Sequence, residues 1–464
     1  METPLTVVIL AAGLGTRMKS RKAKVLHRVG GRSLIEHVVR TAQALAPPER
    51  IFVVVGHQAE SVQGAVATVG AGFGFIQQNE QRGTGHALMV AADRLSHLEG
   101  RLVILYGDCP LVRASTLEGL VAAQASSHAA GTILTAIMDD PTGYGRVLRD
   151  SQGRVTSVVE QKAGTPEVLA IREANMGLYC YRAELFWKHI QELQPNNPAH
   201  EYYLTDMVEI LNRAGHAIGA FRIDDPREVL GINDREELAV VDRLLRERKV
   251  RELMVGGVTI EKPETVTVDP GVKIGIDTII EPFAQILGNT VIGENCRIGA
   301  CAIVRDSELS DDVEVGPFTI IGTSRLEQGA HAGPFARLRM ENHLGPGAHV
   351  GNFVELKKTH LGAGSKAMHL AYLGDSQIGP KANVGAGTIT CNYDGYRKNT
   401  TRIGAGVFVG SNSTLIAPVE VGDGAYLAAG SVITGDVPAD ALGVARARQV
   451  NKEDWARKRR ELAR

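Results

Sequence analysis

Ile292-Gly293-Glu294-Asn295-Cys296-Arg297-Ile298-Gly299 sets an aliphatic residue followed by glycine at an interval of six. The same dipeptide returns between Val272 and Val437, as Ile274-Gly275, Val315-Gly316, Ile321-Gly322, Leu344-Gly345, Val350-Gly351, Ile378-Gly379, Val384-Gly385, Ile403-Gly404, Val409-Gly410 and Val421-Gly422. Six is too long for strand alternation and off the helical period. It fits a solenoid whose coil has three short flat sides, each pointing one aliphatic side chain inward. Eighteen residues then make a coil, as from Ile274 to Ile292. The small residue after each aliphatic one is the corner signal, because Gly, Asn and Asp reach corner backbone angles at least cost. Spacing does not fix the hand of the coil. Two ends and three flat faces predict capping elements and side-by-side packing of several chains.

Outside the repeats, 464 residues are too many for one ordinary domain. Lys plus Arg number 51 against 52 Asp plus Glu, so bulk charge points to neither nucleic acid nor a membrane, and an anionic ligand must be held by local groups. The apolar run Leu5 to Ala12 lacks a basic leader and is too short to span a bilayer, which predicts a cytoplasmic protein. Five cysteines with no CxxC pair argue against a disulfide framework and a thiolate zinc site. Cys296 and Cys301 read as small buried apolar residues.

Thr6 to Leu10 reads as a strand buried on both faces, and it opens into Ala11-Ala12-Gly13-Leu14-Gly15-Thr16-Arg17-Met18-Lys19. Ile51 to Val55 and Leu102 to Tyr106 are similar runs, closed by Gly56 and by Gly107-Asp108, with helical patterns such as Ser33 to Leu45 between them. Alternating strands and helices predict a mainly parallel sheet covered on both faces, with ligands beyond the carboxyl ends of the strands. The glycines after the first strand let backbone amides approach a phosphate, with Arg17 and Lys24 adding positive charge. The loop is neither GxGxxG nor a Walker loop, and an ordinary strand-to-helix turn fits its spacing as well. Asp108, just past a buried strand, is by itself more often a turn former or helix cap than a hard-oxygen metal ligand.

LAAGLGTRM followed by Lys24-Val25-Leu26 resembles the signature of sugar-1-phosphate nucleotidyltransferases. Gln78, Gly83-Thr84-Gly85-His86-Ala87, Tyr106-Gly107-Asp108, Gly143-Tyr144-Gly145-Arg146, Glu160-Gln161-Lys162, Glu201-Tyr202-Tyr203 and Gly231-Ile232-Asn233 follow in the expected order. Together with the solenoid, nearly the whole chain resembles the family of bifunctional N-acetylglucosamine-1-phosphate uridylyltransferase/glucosamine-1-phosphate acetyltransferases. The resemblance implies a Rossmann-like nucleotidyltransferase domain over 1–232, a linker helix over 233–256, a left-handed parallel β-helix over 257–440 and a basic tail over 441–464. It further implies a homotrimer that makes UDP-N-acetylglucosamine for cell-envelope polymers.

In the first half, a sugar-phosphate oxygen must attack the α-phosphorus of UTP and release pyrophosphate, against crowded negative charge. Cations and positioning should supply most of the catalysis. The resemblance assigns Mg²⁺ to Asp108 and Asn233, and phosphate neutralisation to Arg17 and Lys24. It lines the UTP and UDP-sugar site with Leu10, Ala11, Ala12, Gly13, Lys24, Gln78, Gly83, Thr84, Tyr106, Gly107, Asp108, Gly145, Glu160, Asn175 and Asn233. Two residues depart from the family pattern. Ala23 replaces a proline before Lys24, which predicts a looser loop, and Met176 replaces a threonine beside Asn175, removing a hydroxyl from the expected sugar contact.

From Asn233 to Met254, Leu238, Val241, Leu244, Leu245 and Leu253 recur at helical spacing, and Asp234 with Glu237 forms a candidate capping box. In the solenoid the repeat is interrupted at Arg337 to His343 and at Cys391 to Thr401, and loops leaving a solenoid usually carry function. Moving acetyl from acetyl-CoA to the amine of glucosamine 1-phosphate needs a base near neutral pH, which suits histidine. The resemblance selects His369 as that base, Arg337, Lys357, Tyr372 and Asn383 for the sugar phosphate, and Ala386, Asn392, Tyr393, Ser411, Ala429 and Arg446 for acetyl-CoA. His331 and His349, eighteen residues apart with His343 nearby, offer a metal site between chains as an alternative, with the register disturbed by the first interruption. A single-activity nucleotidyltransferase and a non-catalytic scaffold are further readings, opposed by the intact His369, Arg337 and Asn392 set and by Lys24 with Asp108. The tail from Arg446 to Arg464 is basic, but Glu453, Asp454 and Glu461 interrupt it, which predicts a solvated helix capping the last coil rather than a nucleic-acid arm.

Overall fold

The computed structural model describes residues 3–464, which divide into two compact units on either side of the boundary between Leu245 and Arg246. In the first unit, the strands run across the sheet in the order Ile218–Ile223, Gly131–Ile137, Glu173–Arg182, Arg101–Tyr106, Leu5–Leu10, Ile51–Val55 and Gly74–Gln77. All neighbours are parallel except that Glu173–Arg182 runs against both of its own. A hairpin of Gly145–Arg149 and Val155–Val159 joins the sheet beside Glu173–Arg182.

The first strand is apolar throughout because its residues alternate between two cores. Val8 and Leu10 pack with Leu88, Ala91 and Met207, while Val7 and Ile9 pack with Val38, Val62 and Leu117. Strand order reverses between Leu5–Leu10 and Arg101–Tyr106, the position where an open sheet leaves a crevice at its carboxyl edge. Helix Leu34–Ala42 starts where the sequence predicts, on a capping box in which Ser33 Oγ accepts from the Glu36 amide at 3.4 Å and Glu36 Oε2 accepts from the Ser33 amide at 2.7 Å.

Helix Arg235–Val255 follows. Asp234 Oδ1 accepts from the Glu237 amide at 2.9 Å, but Glu237 returns its hydrogen bond to the amide of Asn233 rather than of Asp234. This ties the cap to a residue of the candidate metal site.

In the second unit each coil gives one short strand to each of three parallel sheets, of 11, 10 and 9 strands among the described residues. Partners on adjacent coils, such as Ile298 and Val315 or Ala332 and Val350, lie 17 or 18 residues apart. Inward residues including Ile298, Ile321, Leu338, Leu356 and Leu373 are wholly buried. Val250 and Leu253 of the preceding helix close the first coil against Val258 and Ile260.

Arg337 to His343 does not leave the solenoid. Arg337 pairs with Ile320 below and Glu355 above, and His343 with Arg325 and His360, while Leu338 and Leu344 fill the interior. The polar residues there are outward ones, which a coil tolerates. Cys391 to Thr401 is a true excursion, since Ser376 pairs directly with Thr401. The tail does form a helix, Trp455–Leu462, but every residue from Val444 on is exposed, so it does not cover the last coil within the chain. Among the described residues no helix is long and apolar enough to cross a membrane.

Candidate functional site

The crevice at the carboxyl edge of the first sheet holds a cavity of about 520 Å³. Of the residues that the resemblance assigns to the nucleotide site, Leu10, Ala11, Ala12, Gly13, Lys24, Gln78, Gly83, Thr84, Tyr106, Asp108 and Asn233 line it, and Leu14, Gly15, Thr16, Val25, Gln81, Ala87 and Glu201 join them. Gly107 lies behind this lining, its amide donating to Leu10 O at 2.9 Å and joining the two central strands. Arg17 stands at the edge, donating to Asn233 Oδ1 at 2.8 Å.

Lys24 is the hub. Its ammonium is ion-paired with Asp108 and lies 3.3 Å from Asn233 Oδ1. A carboxylate and an amide oxygen thus converge on one cation, and these donors fit a hard divalent ion whose remaining ligands come from water and phosphate oxygens.

The loop carrying Lys24 is not loosened by Ala23. Ala23 has φ of −54°, the value proline would impose, and its amide donates to Gln58 Oε1 at 2.8 Å, a bond proline cannot make. Gln58 Nε2 in turn donates to Arg21 O at 2.5 Å.

Gly145, Glu160 and Asn175 gather beside the cavity rather than in its lining. Gly145 pairs with Asn175 across antiparallel strands, and Asn175 Nδ2 donates to the Tyr179 hydroxyl at 2.8 Å. Glu160 Oε1 accepts from Thr205 Oγ1 at 3.1 Å, and burial raises its carboxyl above the usual range. Burial, with Glu160 and Glu209 nearby, pushes Asp206 up to about 6. Met176 is buried in the core with Leu178 and Cys180, so its side chain packs beneath the sheet.

In the solenoid, His369 ends strand Lys366–His369 and is exposed at a corner between two flat sides. Backbone bonds stack that corner coil on coil: Leu370 N–H to Asn352 O, Gly387 N–H to Leu370 O, Asn412 N–H to Ala386 O and Gly430 N–H to Ser411 O. His369, Ala386, Ser411 and Ala429 therefore form one column. Arg337, Lys357 and Tyr372 lie on strands of one sheet, whereas Asn383 lies on another.

Lys357 Nζ lies 3.3 Å from Asp375 Oδ2, which also accepts from Asn392 Nδ2. Lys398, on the excursion, is within hydrogen-bonding reach of Lys357, and that like-charged neighbour lowers its amine below the lysine range. Tyr393 is exposed on the same excursion, bridged to Lys398, and Arg446 is exposed in the tail.

Sequence reasoning missed Lys398 and Asn352, which bonds His369 Nδ1 at 2.8 Å. Counting one coil back from His369 would have found the second. His331 and His349 keep their register, with ring centroids 4.2 Å apart. Among the described residues no group of three or more His, Cys, Asp or Glu is arranged to hold a metal.

Residues 7–174 match the family model of the MobA-like NTP transferase domain, and residues 271–306 and 400–435 match bacterial transferase hexapeptide repeats. The chain is 65% identical to the Bifunctional protein GlmU of Solibacter usitatus (strain Ellin6076), covering 100% of this chain and 99% of that protein. It is 49% identical to the protein of the same name from Koribacter versatilis (strain Ellin345), over 98% and 97% of the two chains. The corresponding protein of Anaeromyxobacter sp. (strain Fw109-5) is also 49% identical, over 99% and 94%.

Proposed function

The chain belongs to the family of bifunctional GlmU proteins, and from that premise we propose how its two sites divide the work. It is an enzyme with uridylyltransferase and acetyltransferase activities. The solenoid acetylates glucosamine 1-phosphate, and the N-terminal domain then joins N-acetylglucosamine 1-phosphate to UTP. The nucleotide and thioester substrates suit the cytoplasm.

The observation that carries the uridylyl half is Lys24 held between Asp108 and Asn233 in the 520 Å³ cavity. A phosphate oxygen of the sugar attacks the α-phosphorus, a P–O bond forms, and the bond to the pyrophosphate leaving group breaks. Lys24 and Arg17 neutralise the triphosphate, while Gln78, Gly83 and Thr84 hold the uracil. Gly145, Glu160 and Asn175 hold the sugar. Asp108 and Asn233 would hold Mg²⁺, which when bound offsets phosphate charge and lowers the barrier to attack.

For acetyl transfer, His369 takes a proton from the sugar ammonium, freeing the nitrogen lone pair. That nitrogen attacks the thioester carbonyl, the C–N bond forms and the C–S bond breaks, and the proton that the nitrogen sheds on becoming an amide leaves with coenzyme A as its thiol. Arg337 and Lys357 hold the sugar phosphate, with Tyr372 and Asn383 on its hydroxyls. The column of Ala386, Ser411 and Ala429, with Asn392, Tyr393 and Arg446, takes acetyl-CoA.

A homotrimer is supported by two features of the single chain. The candidate sugar ligands lie on different flat sides, as expected when neighbouring copies complete the site. Below His369, the same corner exposes Phe318, Phe335 and Phe353 in a stack with centroids 5.1 and 5.4 Å apart, an apolar strip suited to contact with another copy.

Mass spectrometry of products from glucosamine 1-phosphate, acetyl-CoA, UTP and Mg²⁺ tests the whole reading. UDP-N-acetylglucosamine, pyrophosphate and free coenzyme A are expected. Unacetylated UDP-glucosamine as the sole sugar nucleotide would reduce the solenoid to an assembly element. Light scattering should give three times the chain mass.

A further inference from the structure

We propose that Asn352 is a positioning residue for acetyl transfer, its side-chain oxygen accepting a hydrogen bond from Nδ1–H of His369 and leaving Nε2 as the proton acceptor. The inference rests on the reading of His369 as the base. Nδ1 lies 2.8 Å from Asn352 Oδ1. An amide oxygen only accepts, so the ring nitrogen facing it carries the hydrogen. A neutral imidazole has one N–H, and the lone pair is therefore on Nε2.

The contact is built by the backbone. Asn352 ends strand His349–Asn352, His369 ends strand Lys366–His369, and the two are direct partners in the parallel ladder. Leu370 N–H donates to Asn352 O at 3.1 Å, fixing the corner immediately beyond. An exposed histidine without such a partner samples several ring orientations and both tautomers. Here orientation and tautomer are set before substrate arrives, which is where a small displacement costs most rate.

The test uses the full chain, with thiol release from acetyl-CoA in the presence of glucosamine 1-phosphate. His369→Ala is expected to abolish release. Asn352→Ala should lower kcat by about 10- to 100-fold and leave KM for acetyl-CoA within about twofold, because the ring moves while the coenzyme's contacts remain. Asn352→Asp keeps an acceptor oxygen in place and should retain most of kcat. Nitrogen-15 spectra of histidine-labelled protein, with the His369 signals identified by their loss in His369→Ala, should show a protonated Nδ1 in the parent and mixed tautomers in Asn352→Ala. Pyrophosphate release and light scattering of each variant report that the chain is folded and assembled.

An active His369→Ala enzyme overturns the assignment of the base. An inactive His369→Ala enzyme beside an unimpaired Asn352→Ala enzyme overturns the inference alone. Asn352→Asp as slow as Asn352→Ala shows that the amide N–H faces the ring, which also overturns it.

Discussion

Lys24 and Asp108 form an ion pair in the N-terminal cavity, with side chains 17% and 16% exposed. The same ammonium reaches the Asn233 oxygen at 3.3 Å, so a divalent ion entering between these oxygens must displace Lys24 from Asp108. A triphosphate favours that exchange, because it offers the displaced ammonium new anionic partners. On the uridylyltransferase reading, substrate rearranges the charge at this point.

Asp108→Ala should reduce pyrophosphate release by about 10²- to 10³-fold while thiol release from acetyl-CoA is retained. His369→Ala should do the reverse. Paired assays on one preparation check this, and loss of both activities in a folded variant would contradict independent sites.

Gln58 takes over the stiffening that proline would give at position 23. Gln58→Ala should raise KM for UTP several-fold, because the segment ahead of Lys24 loses its bonds to the Ala23 amide and the Arg21 carbonyl. In an Ala23→Pro background the same change should matter less, since the amide is gone and the ring fixes φ. A double-mutant cycle on KM measures the coupling, and strict additivity would refute it.

Asp206 introduces a pH dependence of stability. Burial first, then the Glu160 and Glu209 carboxylates, raise its carboxyl from the ordinary 3.8 to about 6. The folded chain thus holds this proton more tightly than the unfolded chain. The stabilisation is complete below about 3.8 and is lost as pH rises through about 6. Asp206→Asn should raise the melting temperature at pH 7 and have little effect at about pH 3, below the ordinary carboxylate range, and thermal unfolding at the two pH values distinguishes this from a simple packing effect.

Gly83 is confined by Tyr202. Its φ is +108°, and a Cβ there would lie 2.5 Å from Tyr202 O. Gly83→Ala should add about 1–3 kcal/mol of strain and displace the segment against Thr84. KM for UTP should rise at least tenfold, with acetyl transfer unchanged, as read by the two assays.

The solenoid was legible because each inward Ile, Val or Leu is followed by a residue fitted to a corner, a pattern local in sequence. Arg337 to His343 was misread as a break because the dipeptide is diluted there by outward polar residues. Leu338, the buried Asn342 bonded to Ser324, and Leu344 carry the coil through. Ala23 was read for what it lacks, as the compensating Gln58 lies 35 residues away on another element. Asp108 and the glycine loop after the first strand were legible from their place at the ends of central strands, while Gln78, Gly83, Thr84 and Asn233 were named through the family resemblance. Gln81 and Glu201 were not, since only the folded approach of separate loops brings them to the crevice.

The excursion after Cys391 leaves the prism on one side and rejoins it as though nothing intervened: Ser376, Gln377 and Ile378 pair with Thr401, Arg402 and Ile403 in unbroken register. Tyr396, at its tip, is 94% exposed. The segment is a detachable handle in the topological sense. New chain termini opened at its tip, or a longer graft spliced in there, leave the stacked hydrogen-bond ladder intact.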